Sequence, residues 1–137
     1  MTMPTRYRER LNERSAGRLV VTIDTDERCL LLYPLPEWEN IERKLDALPS
    51  FNAQARRVQR LLMGHATDSD MDNNGRLLLP PPLRQYAGLD KHVVLIGQGK
   101  KFEIWDATVW NERRDDWLAE ETVGDEPLPA DLQSLSL

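Results

Sequence analysis

The sequence predicts an α+β fold made by duplicating one small unit. Short β-branched and apolar runs alternate with segments whose apolar residues recur at helical spacing. The second half of the chain repeats the order of the first. Glycines, prolines and polar clusters punctuate the joints. With 137 residues, 40% of them hydrophobic and 30% charged, the chain has material for one modest core, as one domain or as two small intertwined repeats.

Taken in order, residues 6–12 give a helical turn or two, closed by Gly17. Residues 19–23, Leu-Val-Val-Thr-Ile, read as a strand, 24–28 as a polar turn and 29–33 as a second strand. Pro36 suits the first turn of a helix over 37–48, where Trp38, Ile41, Leu45 and Leu48 form an apolar stripe. Ser50 or Asn52 can cap a further helix over 53–63, ended by Gly64. Residues 77–79, Leu-Leu-Leu, read as a strand stopped by Pro80, and a short helix begins at Leu83. A strand over 93–96, a turn over 98–100, a strand over 101–105 and a helix over 107–118 follow. Residues 120–137 are acidic, hold two prolines and are expected to be a mobile tail with a brief helical turn over 131–137.

Aligning Cys-Leu-Leu-Leu-Tyr at 29–33 with Lys-Phe-Glu-Ile-Trp at 101–105 places Trp38 opposite Trp110 without a gap. Pro4 then matches Pro80, Tyr7 matches Leu83 and Arg8 matches Arg84, once the first copy has a slightly longer connection. The chain so divides into a first repeat with its helix (1–48), a connecting helix (49–66), a second repeat with its helix (67–118) and the tail (119–137).

Residues 70–88 carry the sharpest local pattern: an acidic turn, Gly75-Arg76, an apolar run and Pro80. Asn73-Asn74-Gly75 tolerates the positive φ of a tight turn, so Arg76 is expected to leave a fixed scaffold with its guanidinium free to point outward. D-x-x-G-R, an apolar strand and Pro resemble the swapped-hairpin, AbrB-like DNA-binding repeat. With Pro4-Thr5-Arg6-Tyr7-Arg8, Tyr33-Pro34-Leu35-Pro36-Glu37-Trp38, Ala55-Arg56-Arg57-Val58-Gln59-Arg60-Leu61-Leu62 and the hairpin at 102–105, the chain resembles the MraZ family over nearly its whole length.

That resemblance implies a small β-barrel of two AbrB-like (SpoVT-AbrB) swapped-hairpin repeats with helices packed outside. It implies a sequence-specific DNA-binding regulator, not an enzyme, of the division and cell-wall gene cluster. Such a protein would act at its own promoter as a ring-like homo-oligomer, in the cytoplasm and associated with the nucleoid. The expected partners are promoter DNA and further copies of the chain, with no membrane, small-molecule substrate, metal or cofactor. DNA contacts are expected from Asp72, Asn74, Gly75 and Arg76 in the turn, and from Arg6 and Arg8 in the P-x-R-Y-R run. An arginine can serve a phosphate or a guanine edge through its planar fork, and a lysine would not replace it equally. Where the family's first copy has Lys before Gly, this turn has the uncharged Asn74, which weakens the binding expected of it. Relative to the family pattern, the first copy's own strand and D-x-K-G-R turn are missing ahead of Pro4. This reads as a truncated or misassigned gene start, with an exposed sheet edge or a strand borrowed from a neighbour as the consequence.

The net charge of −5 announces no global positive field, but Arg6, Arg8, Arg10, Arg14 and Arg18 crowd the amino end and Glu120, Glu121, Asp125, Glu126 and Asp131 the other. A basic face can therefore coexist with an acidic total. Arg56, Arg57 and Arg60 read as surface or subunit contacts. Cys29 is alone, so no intramolecular disulfide forms, and it reads as a small buried hydrophobe. Asp68, Asp70 and Asp72 open like a calcium loop, yet Asn73 stands where that loop needs Gly and Leu79 where it needs Glu. Gly97-Gln98-Gly99-Lys100 leads into a strand and reads as a hairpin turn, not a phosphate loop. His65, His92 and Cys29 lack ligand spacing, and no nucleophile–base set converges. Trp38, Trp105 and Trp110 read as packing. The alternative function is an oligomeric scaffold of the same fold with lost or weak DNA binding; a single-repeat antitoxin-like protein and an enzyme rank below it.

Overall fold

In the computed structural model, β1 (Leu19–Ile23) and β2 (Leu30–Pro34) are buried along their whole length. A strand of this kind must be covered on both faces, and alternate residues sort accordingly. Leu19, Val21, Ile23, Leu30 and Leu32 face the larger core, with Leu11, Leu83, Phe102 and Ile104. Val20, Leu31 and Tyr33 face a second cluster built on Trp38. Thr22, also buried, donates its hydroxyl to the Leu62 carbonyl at 2.7 Å, so its polarity is met.

The structure describes residues 1–120, which group into a body of Met1–Ala107 and a second beginning at Thr108. With β3 (Thr67–Asp68), β4 (Val93–Gly97) and β5 (Phe102–Asp106), the sheet runs β3-β1-β2-β5-β4, and all its pairs are antiparallel. The two hairpins of the duplication meet through β2 and β5, with Leu30 opposite Ile104. The fold is thus α+β. Its sheet ends on β3 and β4 and is not closed among the described residues.

α1 (Thr5–Ser15) is longer than the turn or two expected, and it ends on Ala16 at φ 54° and Gly17 at φ 77°. α2 (Leu35–Asp46) begins earlier than expected, since Pro36 sits in its first turn, and it stops before Leu48. Leu48 therefore leaves the stripe and is exposed, while Trp38 and Leu45 are buried. α3 (Ala53–His65) is capped by Asn52 rather than Ser50, its Oδ1 accepting from the backbone N–H groups of Gln54 (2.9 Å) and Ala55 (3.1 Å). Gly64 does not end it. α4 (Pro81–Ala87) closes on Gly88 at φ 61°. α5 (Ala107–Ala119), in the second body from Thr108 on, sets Trp110 edge-on to Trp117 at 6.0 Å. No helix among the described residues is long and apolar enough to cross a membrane. The tail expected over 120–137 lies, beyond Glu120, outside the described residues.

Residues 77–79 do not form the expected strand. Only the start of the run is paired, and its partner is the amino terminus. Thr2 bridges Arg76, Met3 donates its N–H to the Gly75 carbonyl at 2.6 Å, and Leu77 donates to Met1 at 2.7 Å. The Met1 ammonium returns a bond to the Leu77 carbonyl at 3.1 Å. Leu77 and Leu79 turn into the core, whereas Leu78 is exposed. Because Pro4 matches Pro80, Met1 and Leu77 are equivalent positions of the two copies. Their leading segments therefore cross at that pair.

Candidate nucleic-acid interface

The acidic turn is held together by Asp72. Its Oδ1 accepts the backbone N–H groups of Asn74 (2.8 Å) and Arg76 (2.9 Å), while its main chain exchanges 3.0 Å bonds with Gly75 and Arg76. The Arg76 N–H bond above all, helped by Asn74 and the Arg76 charge, lowers the carboxyl below its usual pKa. Gly75 sits at φ 75°, the left-handed region in which a side chain is strained. The incoming limb is pinned as well: Met71 donates to the Gly17 carbonyl at 2.8 Å, and Gly17, at φ 77°, packs closely against Met71 and Asn12.

Arg76 is not free, contrary to the expectation from sequence. Its Nε donates to Asp72 Oδ2 at 3.1 Å, because a tight turn brings residues four apart within reach of each other. Both side chains are largely exposed, so water competes for this pair and it holds the arginine only loosely. Among the described residues the two Nη groups have no side-chain bond, and they are the edge through which an arginine can pair with a phosphate or a guanine.

Arg8 comes from a distant part of the sequence to the same place. It leaves α1 over Gly75, and a Cβ added there would lie 2.2 Å from Arg8 Nε and 2.7 Å from its Cδ. Its Nε donates to the Met3 carbonyl at 2.8 Å, and Met3 in turn holds Gly75, so helix, amino terminus and turn lock together. Of the six residues singled out from sequence, Asp72, Asn74, Gly75, Arg76 and Arg8 are brought together. Arg6 is not: its guanidinium lies 4.7 Å over the ring of Tyr7, which stands edge-on to Phe102. The spacing of Arg8 and Asn12, one helical turn apart, was the available hint that α1 flanks the turn; Met3, Asn12 and Gly17 were not foreseen. Arg84, the duplicate of Arg8, instead lines a cleft of about 320 Å³ with Leu77, Leu78 and Lys91.

A second group was also not foreseen. Asp24, Cys29 and Glu103 place one ligand-type atom each within 4.8 Å of one another. Burial, with Glu103 and Asp24 nearby, pushes the Cys29 thiol far above its ordinary value, and Sγ donates to Asp24 Oδ2 at 3.6 Å. Glu103 accepts the Trp105 indole N–H at 3.0 Å. A protonated thiol between two engaged carboxylates is a hydrogen-bonded arrangement.

The family model for the MraZ protein, described as antitoxin-like, matches residues 1–61 and again 62–122. The chain belongs to the MraZ family. Among its MraZ relatives, a protein of Halorhodospira halophila is 56% identical over 137 residues, covering all of this chain and 90% of that one. Proteins of Thioalkalivibrio sulfidiphilus and Legionella pneumophila are 59% and 55% identical over the same span, again covering 90% of their length. Each of these relatives is named as the transcriptional regulator MraZ. The double match of the MraZ model agrees with the duplication read from the tryptophans and from the paired hairpins.

Proposed function

We propose that this protein is a DNA-binding transcriptional regulator whose contact element is the turn at 72–76 with Arg8 seated on it. It acts at the promoter of the division and cell-wall gene cluster that includes its own gene, as a ring-like oligomer, in the cytoplasm on the nucleoid. The observation that carries this reading is the seat of Arg8 on Gly75: a second guanidinium is fixed beside the turn that presents Arg76. The regulator's name borne by its relatives supports it. One such turn neutralises only a few phosphates, each contributing a salt slope of about −0.9. Several turns on one assembly add roughly 10²–10⁴ in avidity without new contacts. Closure of a barrel would require strands added at the two sheet edges.

The test is a titration at fixed salt of DNA from upstream of the protein's own gene against scrambled DNA of equal length. Preference for the promoter is expected, and its loss in Arg76→Ala with the oligomer intact. Equal affinity for both DNAs would refute the reading. It would leave the oligomeric scaffold of the same fold.

A further inference from the structure

A groove of about 720 Å³ lies between α2 and the tip of the β4–β5 hairpin, inside the body of Met1–Ala107. Helical spacing builds one wall: Glu37, Ile41 and Lys44 fall at i, i+4 and i+7 on α2, so one stripe of the helix lines the groove. Lys100 and Lys101 line the other wall from the hairpin tip. That tip is held in shape by the Gln98 N–H on the Lys101 carbonyl at 2.8 Å and by Gly99 at φ 78°. Arg14 of α1 also donates to the Gly99 carbonyl at 3.2 Å. Tyr33 makes the floor with Ile41, and its ring is tilted against that of Trp38 at 5.8 Å. The groove is therefore formed before anything enters it, as ligand sites usually are.

Its charge runs against that of the chain. Net charge is −5, yet Arg43, Lys44, Lys100 and Lys101 meet a single acid, Glu37, around the groove. Among the described residues, Lys44, Lys100 and Lys101 have no carboxylate partner, and Arg43 donates to the Asn40 side-chain oxygen. Cations crowded around one concavity repel one another, and its low-dielectric walls focus their field on an anion that enters. The fold does not demand them: in the register that matches Trp38 with Trp110, Lys44 falls opposite Asp116 and Lys101 opposite Cys29. Burial pushes the Tyr33 phenol pKa up, so the floor stays neutral beneath an anion. Gln98, also on the wall, offers a donor and an acceptor to the edge of a heterocycle. A DNA backbone is convex and would ride on the rim, leaving Tyr33 and Ile41 unused. An apolar floor under a cationic rim instead fits a small molecule with a flat ring at one end and several negative charges at the other.

We propose that this groove binds a nucleoside diphosphate, with the base over Tyr33 and Ile41 and the phosphates between Lys44, Lys100 and Lys101. A diphosphate gathers charge and acceptor oxygens at one end of the molecule and leaves a flat heterocycle at the other, the two chemistries that the groove offers together. Gln98 then meets the edge of the base. Neither DNA nor a second copy of the chain takes part, so the inference stands apart from the proposed function.

The test is a calorimetric titration of the full chain with ADP, GDP, CDP and UDP. At least one should bind, at one molecule per chain. Its nucleoside alone and inorganic pyrophosphate should each bind about tenfold more weakly or worse, because each uses only part of the groove. Lys44→Ala with Lys101→Ala should weaken the nucleotide by about tenfold or more, through loss of charge-assisted bonds. Gln98→Ala should weaken the nucleotide and leave pyrophosphate unchanged. Lys44 and Gln98 are exposed and Lys101 is half-buried, so these variants should fold, and melting by circular dichroism checks it. Arg76→Ala should bind the nucleotide as the wild type does. The proposal is overturned if no nucleotide binds, if pyrophosphate binds as tightly as the best of them, or if the folded lysine variant keeps wild-type affinity. Loss of nucleotide binding in Arg76→Ala would move the ligand to the turn at 72–76 and overturn the groove. Equal losses of nucleotide and promoter affinity in the lysine variant would make the groove a phosphate site for DNA, which also overturns it. The promoter titration contains no nucleotide, so the regulator stands or falls separately.

Discussion

Replacing Gly75 by alanine isolates the seat of Arg8 from the rest of the turn. Two costs are expected. A non-glycine residue at φ 75° costs about 1–2 kcal/mol. The new Cβ, placed 2.2 Å from Arg8 Nε, must also expel that side chain and break its bond to the Met3 carbonyl, worth about 0.5–1.5 kcal/mol. The sum is about 1.5–3.5 kcal/mol, which lowers Tm by roughly 5–12 °C in a chain of this size. Made on an Arg8→Ala background, where nothing stands over Gly75, the substitution should cost only the backbone share. A double-mutant cycle by urea unfolding should therefore give a coupling of about 1 kcal/mol between the two positions. Promoter affinity should fall in Gly75→Ala and in Arg8→Ala, and little further in the pair. An equal cost on both backgrounds would refute the seat. Full affinity in Gly75→Ala would refute its role in binding.

Arg76→Ala should cost about 1–3 kcal/mol of promoter affinity if a base edge is read, or make the salt slope shallower by about 1 if a phosphate is. Its stability should change by no more than about 0.5 kcal/mol, because its pair with Asp72 is exposed. Cys29 should make the fold sensitive to alkali. The buried thiol stays protonated where the unfolded thiol, with a pKa of about 8.5, has ionised, so stability is flat below about pH 8 and falls by up to about 1.4 kcal/mol per pH unit above it. Urea unfolding between roughly pH 7 and 9.5 checks this, and Cys29→Ala should abolish the decline; Tyr33, also raised by burial, acts only above about pH 10. Asn52→Ala should destabilise by about 0.5–2 kcal/mol through loss of the cap on α3, read as a lower Tm.

What was legible in the sequence is what local chemistry decides. Leu-Val-Val-Thr-Ile at 19–23 is a strand in any context that covers both its faces, and Asn52 caps because its side chain reaches only the next turn. Two of the failures share a cause in distance along the chain. Residues 77–79 look like a strand, yet a strand exists only with a partner ladder. Here the partner is residues 1–3, more than 70 positions away, which reach only as far as Leu77. β3 was missed for the same reason, as two residues pairing with Val20 and Val21 across the molecule. Arg76 was expected to be free because a motif names residue types and says nothing of where Asp72 points. Arg8 was singled out from its motif, but its seat on Gly75 follows only once Met3 has brought the two together.

Duplication places equivalent residues in different surroundings although the fold repeats. Arg8 and Arg84 are equivalent positions on equivalent helices, and the backbone crossing at Met1 and Leu77 treats the two copies alike. Under Arg8 lies a glycine turn that orients its guanidinium, whereas Arg84 opens into a cleft beside Leu78. At the surface the copies also differ in charge, with Arg43 and Lys44 in the register of Asp115 and Asp116. Core positions cannot diverge this way, because Leu32 and Ile104 serve one shared interior and a change in either is felt by both copies. Surface positions carry no such obligation. A duplicated chain can therefore keep one fold while the ends of its equivalent helices carry opposite charges.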